Sequence, residues 1–478
     1  MGITVKKADD FSEWYTQVIK KADLIDYGIV SGCMVIKPYG YAIWERIQAF
    51  LDSEFKKLGV KNAYFPMLIP ESLLKKEQEH VEGFTPEVAW VTHAGESKLD
   101  ERLAIRPTSE TIMYDSYAKW IRSHRDLPLK INQWCNIIRW EFKHPMPFLR
   151  TREFLWQEGH TVFASRKEAE EEVLDILDLY ARAFEEMYAV PVLKGTKSET
   201  EKFAGAVYTT SVETFMPNGK AIQGATSHFL GQNFSKAFDI SFINQDEKRD
   251  FGWQNSWGFT TRSVGIMIAM HGDDKGLVLP PRIAPTQVVV VPILFSKNPE
   301  ASEKVLSLAR DVYSDLQKAG IRVELDDDAE KSPGFKFNSW ELKGVPLRIE
   351  IGPKDVEKES VVFARRDTGT KESVPVTKAP AKVGELLGAI QKALFEKAKR
   401  FLQSKVVEAK DMYAVEKVIK DGGIALCSWC GSLECEEKAK DATGAKSLNI
   451  PFDKHAPKDP CFACKKESKH RIHFAKSY

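Results

Sequence analysis

Arginine is concentrated in one short stretch of this chain in a way that suits an anion. Residues 139–154, RWEFKHPMPFLRTREF, hold Arg139, Glu141, Arg150, Arg152 and Glu153 around Pro145, Pro147 and large aromatics. A surface charge run is usually a set of mutually paired side chains of small energetic consequence. Three features point elsewhere. Arg139 and Glu141 share an expected strand face with bulky apolar residues, two prolines stiffen the connecting loop, and RTRE presents its cations where a second strand begins. Guanidiniums grip phosphate or carboxylate through paired, parallel hydrogen bonds that lysine cannot make. Glutamates beside them can orient the guanidiniums, accept from an adenine amino group or hold Mg2+ between phosphates. A second group with chemistry lies near the other end, where Cys427, Cys430, Cys435, Cys461 and Cys464 crowd together. In a reducing compartment such a cluster favours a metal over disulfides. The spacing C-x2-C-x4-C…C-x2-C offers one thiol more than a four-coordinate zinc needs, so spacing alone lets Cys427 stand in for another.

The elements that must position these groups follow from periodicity. Phe11, Trp14, Tyr15, Val18 and Ile19 predict a helix over 11–24. Ile43, Ile47, Phe50, Leu51, Phe55 and Leu58 predict a stronger one over 42–58, with Gly59 as its stop. NAYFPML (62–68) reads as a strand interrupted by Pro66, at an edge or end where the missing N–H matters least. KINQWCNIIRWEF and FLWQEGHTVF flank the charged stretch as two strands. Alternation puts Arg139 and Glu141 on one face of the first, and Trp156, Glu158 and His160 on one face of the second. Residues 166–190 read as an acidic amphipathic helix and 221–244 as strand-rich. WGFTTRSVGIMIAMHGD (257–273) joins Arg262 to an apolar helix.

With 478 residues the chain is long enough for about three domains. It is 43% hydrophobic and 29% charged, ordinary for a globular protein, and its net charge of +1 excludes a globally basic nucleic-acid coat but not a local basic surface. The most apolar run, VVVVPILF (288–295), is short and broken by Pro292, so it reads as a buried strand and no membrane span is expected. The beginning MGITVKKADDFSEWY lacks the apolar core of a secretory signal, and Lys6 replaces the Ser or Thr of a myristoylation site, so a cytoplasmic enzyme is expected. LPPRIAPTQ (279–287) is a proline-rich connector, beyond which strands and helices alternate as in a small α/β domain. The expected domains are 1–283, 284–398 and 399–478.

RWE, a loop and RTREF together resemble motif 2 of the class II aminoacyl-tRNA synthetases. The helix-to-strand segment ending at Pro66 resembles motif 1, and WGFTTRSVGIMIAMHGD with Arg262 resembles motif 3. RPTSET (106–111), FLWQEGHTVF (154–163), AIQGATSHFLGQNFS (221–235) and QNSWGFTTRS (254–263) are similar to the prolyl-tRNA synthetase family in its archaeal and eukaryotic form. The resemblance covers nearly the whole chain. It implies an α/β protein with an antiparallel-sheet, α+β class II catalytic core, an α/β anticodon-binding domain, and a small C-terminal α+β domain of zinc-binding type.

The resemblance also implies a reaction: L-proline is activated by ATP, and the prolyl group passes to the 3′-terminal ribose of tRNA(Pro). Carboxylate and triphosphate repel one another, so fixed cations aimed at the developing charge would be the main catalytic device. Arg139 would bridge the proline carboxylate and the α-phosphate, and Arg262 would clamp the nucleotide from the other side. Glu141 and Arg150 would hold adenine and the outer phosphates. Thr151, Gln223, Thr226 and Thr260 complete the expected ATP contacts, with Mg2+ on the ATP. Thr261 precedes Arg262 where many class II relatives carry Glu, which fits the prolyl subgroup. Thr108 and Glu110 would take the secondary ammonium, with Arg139, Trp156, Glu158, His160 and His228 around the ring. A lone strand histidine such as His228 is by itself more often a satisfied core residue.

In the α/β domain, GFKFNSWELKGVPLRIEIGPKD (334–355) is the expected anticodon-reading surface, through Glu341, Arg348, Lys354 and Asp355. Phe335 and Phe337 suit stacking or core equally. The family pattern selects Cys430, Cys435, Cys461 and Cys464 for a structural Zn2+. Motif 1 implies a homodimer with Pro66 near the interface. The readings from other classes are a synthetase-like RNA-binding or regulatory protein and an enzyme that adenylates another small amino acid.

Overall fold

A computed structural model of the chain describes residues 2–80 (backbone alone for 76–80), 87–141, 145–294, 298–453 and 457–478. Its centre is an eight-stranded sheet in the spatial order Lys61–Asn62, Leu129–Ile138, Glu153–Phe163, Trp253–Thr260, Ala221–Gly231, Tyr208–Phe215, Leu193–Thr196 and Ile450–Pro451. Every pairing is antiparallel except the first. Helices Pro38–Lys57, Arg166–Arg182 and Arg262–His271 pack against it. Their apolar stripes, such as Ile43, Ile47, Leu51 and Phe55 or Ile176, Leu177 and Tyr180, merge into one core with Trp257 and Phe259 of the sheet. Gly159 is required beneath that core, because a Cβ there would stand 2.2 Å from the Trp257 ring.

The α/β fold class holds, and several local expectations are corrected. The 62–68 strand is instead a two-residue strand, a break, and a second strand Leu68–Pro70. Pro66 cannot donate, and side chains replace the ladder at the preceding residue: Phe65 N donates to Gln133 Oε1 at 2.6 Å, and Arg106 Nη1 donates to Phe65 O at 2.8 Å. The first hairpin strand ends at Ile138, paired with Glu153, so Arg139 and Glu141 lie beyond the strand rather than alternating along it. Residues 142–144 of the charged stretch, and Phe295 of the apolar run, lie outside the described residues. The 221–244 region is interrupted by helix Asn233–Phe238, whose Phe234 and Phe238 pack on Tyr114. The helix from Arg166 ends at Arg182 and relaxes into a π turn, Ala183–Met187.

The second unit is a five-stranded sheet, parallel between Val288–Pro292 and its neighbours Val323–Leu325 and Leu347–Ile351, antiparallel from there through Ser360–Arg365 to Lys371–Pro375. Helix Ala379–Lys405 then runs straight through the expected boundary at 398. Its Val383 and Leu387 join the core of this sheet, Ile390 and Leu394 pack with Ala189 and Val278, and Leu402 packs with Phe215 and Leu448. The remaining chain forms a four-stranded sheet with helices Met412–Lys420 and Leu433–Thr443. Its end returns to the central sheet: Ala221 N donates to Lys476 O at 2.7 Å, and Asn218 Nδ2 donates to the Tyr478 hydroxyl at 2.7 Å. No helix among the described residues is long and apolar enough to cross a membrane.

Candidate active site

Four central strands and two helix starts converge on a cavity of about 240 Å3. Period-two alternation supplies most of its wall. Phe154, Trp156, Glu158 and His160 come from one face of their strand, and Ser256, Gly258 and Thr260 from one face of the next. Gln223, Thr226 and His228 also line it, although strict alternation would set Gln223 on the opposite face. A bulge opposite Val212 and Glu213 adds one residue to that strand and realigns Gln223. Thr108 and Glu110 enter at the start of helix Glu110–Trp120, and Arg262 at the start of its own helix, whose first-turn amides favour an anion.

Two guanidiniums face this cavity. Arg139 donates through Nε to Pro107 O at 3.0 Å and lies 5.7 Å from the Phe154 and Trp156 ring centres. Arg262 donates through Nε to Leu149 O at 3.0 Å and through Nη1 to Gln223 O at 3.4 Å. Burial lowers both, and burial together with the charge of Arg139 pulls Arg262 down to about 10. Both remain cations at neutral pH, held by neutral carbonyls and close enough to repel. A bound anion relieves that repulsion, so the pair is preorganised for one.

Behind the cavity floor lies a buried polar network. The Glu158 carboxylate accepts from Ser109 N at 3.1 Å, from the Ser109 hydroxyl, from Gln133 Nε2 at 3.1 Å and from His160 Nε2 at 3.1 Å. Burial alone would raise Glu158, but His160, Ser109 and Gln133 outweigh it and hold it low. Burial likewise opposes a charged His160, and the Glu110 and Glu158 charges overcome it and raise the imidazole. Ser109 is thereby fixed between Thr108 and Glu110, whose side chains bond one another. His228 is different: burial drives it down to about 3, so it is neutral, with Nδ1 at 2.9 Å from Thr209 Oγ1 and the Phe203 ring tilted against it at 4.8 Å.

Of the sequence-predicted residues, Thr108, Glu110, Arg139, Trp156, Glu158, His160, Gln223, Thr226, His228, Thr260 and Arg262 all line this one cavity. Arg150 lines an adjoining cavity of about 190 Å3 that shares Gln223 and Arg262 and adds Lys197, Glu213 and Tyr478. Thr151 is buried and Glu141 exposed, and neither lines either cavity. Sequence reasoning missed Glu201, Phe203, Thr209 and Ser256 in the first cavity and Lys197, Glu213 and Tyr478 in the second. Ser256 was within reach, since it alternates with Gly258 and Thr260.

In the α/β unit, Glu341 and Arg348 line a cavity of about 190 Å3 with Trp340, Arg365 and Lys371, three residues that the sequence did not single out. Arg348 stacks 4.2 Å from the Phe337 ring centre and pairs with Glu350 at 2.8 Å. Lys354 and Asp355 stand apart from that cavity on helix Pro353–Glu357, where Asp355 accepts from Gly352 N at 2.8 Å. Phe335 is exposed.

Near the C-terminus the ligand atoms of Cys430, Cys435, Cys461 and Cys464 all lie within 4.8 Å of one another. Cys430 Sγ is 3.8 Å from that of Cys435 and 3.7 Å from that of Cys464. Four sulfurs at tetrahedral corners around an ion with bonds of about 2.3 Å stand about 3.8 Å apart. These thiols therefore fit a zinc ion. Cys427 is wholly buried on strand Ile424–Trp429 and outside the group.

Known proteins are similar to this chain in sequence and in fold. Residues 90–271 match the tRNA synthetase class II core domain (G, H, P, S and T), 287–386 the anticodon binding domain, and 412–478 the prolyl-tRNA synthetase C-terminal family. A cytoplasmic proline–tRNA ligase of Arabidopsis thaliana is 51% identical over all of this chain and 91% of its own length. A proline–tRNA ligase of Cenarchaeum symbiosum is 53% identical over 94% of each chain. The crystal structure of prolyl-tRNA synthetase from Cryptosporidium parvum, complexed with halofuginone and AMPPNP, superposes with a TM-score of 0.96 at 48% identity, covering 100% of this chain and 99% of that one. The chain belongs to the prolyl-tRNA synthetase family, the class II aminoacyl-tRNA ligases that join proline to tRNA.

Proposed function

We propose that the 240 Å3 cavity is where proline is activated, with Arg139 and Arg262 as the residues that carry the step. The observation behind this reading is that two partly buried guanidiniums face one space whose floor holds the Thr108–Glu110 pair. Proline sits with its ring amid Trp156, Phe203 and His228 and its secondary ammonium toward Thr108 and Glu110. Arg139 holds the carboxylate against the α-phosphate. A carboxylate oxygen attacks the α-phosphorus, the bond to the bridging oxygen breaks, and diphosphate leaves with the electron pair. Arg262, Gln223, Thr226 and Thr260 hold the nucleotide, and Arg150 in the adjoining cavity takes the outer phosphates. Mg2+ carried by ATP would supply further neutralisation there. A terminal ribose hydroxyl of tRNA(Pro) then attacks the prolyl carbonyl and releases AMP. Glu158 and His160 hold the loop carrying Thr108 and Glu110. The test is exchange of labelled diphosphate into ATP, expected with proline. No exchange with proline, or equal exchange with alanine at matched concentration, would refute the pocket assignment.

The proposed working units are a catalytic region, 1–283, an anticodon-reading region, 284–398, and a C-terminal region, 399–478. Anticodon bases would be read at the cavity holding Glu341, Arg348 and Lys371, with Lys354 and Asp355 as separate contacts on helix Pro353–Glu357. The four clustered cysteines would hold a structural zinc ion. The purified protein is then expected to carry one zinc per chain by mass spectrometry of metals. Cys435→Ser should lose most of it and melt several degrees lower, whereas Cys427→Ser should keep it. A homodimer is proposed because Tyr64, Met67 and Leu68, which surround Pro66, are exposed apolar residues. Light scattering is expected to give twice the 54.1 kDa chain mass, and a stable single-chain mass at micromolar protein would overturn this. A cytoplasmic location is proposed by likeness to the Arabidopsis thaliana enzyme.

A further inference from the structure

We infer that Glu436 is a positioning residue for the amino-acid pocket, acting from the C-terminal region through the segment 198–203. This rests on assigning the central cavity to proline. Glu436 lies in the first turn of helix Leu433–Thr443 and is only 6% exposed. A carboxylate that deep is costly unless hydrogen bonds replace its water. Three hydroxyls do so at a single oxygen, Oε1: Ser198 Oγ at 2.7 Å, Thr200 Oγ1 at 2.6 Å, and Ser447 Oγ. Two of these donors come from the catalytic region, more than two hundred residues away in sequence.

The segment they pin is irregular, anchored at its ends by Lys197 N on Thr209 O and Val207 N on Phe229 O, and the Glu436 bonds hold the turn between. Residues 197–207 form neither helix nor strand. Within them Glu201 N and Lys202 N turn back onto Ser198 O at 3.2 and 3.0 Å, so fixing Ser198 fixes the turn. The turn delivers two cavity-lining residues. Glu201 is met from the C-terminal region by Lys446 Nζ at 3.5 Å. Phe203 donates its backbone N–H to Thr209 Oγ1 at 2.9 Å and packs its ring against His228, which shares a hydrogen bond with the same hydroxyl. The line of contact therefore runs from Glu436 to Ser198 and Thr200, through the turn to Phe203, and on to the His228 wall.

The backbone holds the two regions close enough for this. Strand Ile450–Pro451 pairs with Leu193–Thr196, and Asn449 Nδ2 donates to Leu193 O at 2.9 Å. Gly195 permits that approach, since a Cβ there would stand 2.4 Å from Ile450 O. With the sheet pairing already joining the regions, the Glu436 contacts are not needed to tether them. What they add is the placement of one turn beside the pocket.

The experiment uses the full-length enzyme. Glu436→Ala is expected to raise KM for proline in diphosphate exchange by about tenfold while KM for ATP stays within about twofold, and Glu436→Gln, which keeps an acceptor oxygen, should return to within about threefold of the parent. Without ligand, amide hydrogen exchange across 198–203 should be about tenfold faster in Glu436→Ala. The double variant Ser198→Ala/Thr200→Val removes two of the three bonds from the catalytic side, leaving the helix that carries Cys435 unaltered in sequence, and should reproduce the proline-specific shift. Equal rises in both KM values, or an unchanged proline KM in the double variant, would overturn the inference. If proline drives no exchange in the parent enzyme, it is the pocket assignment that fails, and hydrogen exchange still decides whether Glu436 holds the turn.

Discussion

Arg139→Ala is expected to cut proline-dependent diphosphate exchange about 1,000-fold, a loss of roughly 4 kcal/mol of transition-state stabilisation. The size follows from where the guanidinium sits. It is partly buried, anchored by Nε on Pro107 O, and flanked by Phe154 and Trp156, so its charge is less screened than at an open surface. In that setting its interaction with a carboxylate and a phosphate that gain and lose charge together is far stronger than at a surface. Arg139→Lys should recover only part of the rate, because one ammonium cannot bridge two anions with parallel hydrogen bonds. The effect should appear in kcat as well as in KM for proline, since Arg139 is assigned to both the bound carboxylate and the reacting phosphate. Exchange within tenfold of the parent, with an unchanged melting temperature, would remove Arg139 from the mechanism.

Arg262→Ala should cost about 100- to 1,000-fold, mostly in kcat and in KM for ATP, with KM for proline nearly unmoved. That asymmetry separates it from Arg139. Its contacts, Leu149 O and Gln223 O, are on the side of the site that opens toward Arg150 and Lys197. A pH test sharpens the claim. Burial and the Arg139 charge bring Arg262 down to about 10, so the parent keeps this cation through mildly alkaline solution. A lysine in the same place starts from a lower value and is lowered by the same causes. Its charged form is the active one and is lost as pH rises, so Arg262→Lys should lose activity at a lower pH than the parent. A pH profile superposable on the parent's would contradict the assigned role.

Much of this site was legible because strands obey a two-residue rule. Trp156, Glu158 and His160 follow from FLWQEGHTVF alone, and Arg262 follows from an apolar helix that begins at a charged residue. The motif resemblance supplied Thr108, Glu110, Gln223 and Thr226. Gln223 would have been misplaced by alternation, since a bulge is a property of two paired strands and only one of them is visible at a time. Arg139 was expected on a strand and lies past its end, because the ladder stops where Ile138 meets Glu153. Glu201 and Phe203 come from a segment without periodicity, and Tyr478 arrives by a long-range pairing with Ala221. No local pattern encodes either.

Helix Ala379–Lys405 has a consequence for how the molecule transmits force. One continuous rod is seated at its start in the five-stranded sheet, in its middle against Ala189 and Val278, and toward its end beside Phe215. A helix has no soft joint along such a length unless proline or an inserted residue breaks its ladder. The five-stranded sheet therefore has no hinge at residue 398, and a push there is carried along one rod to Phe215 of the central sheet.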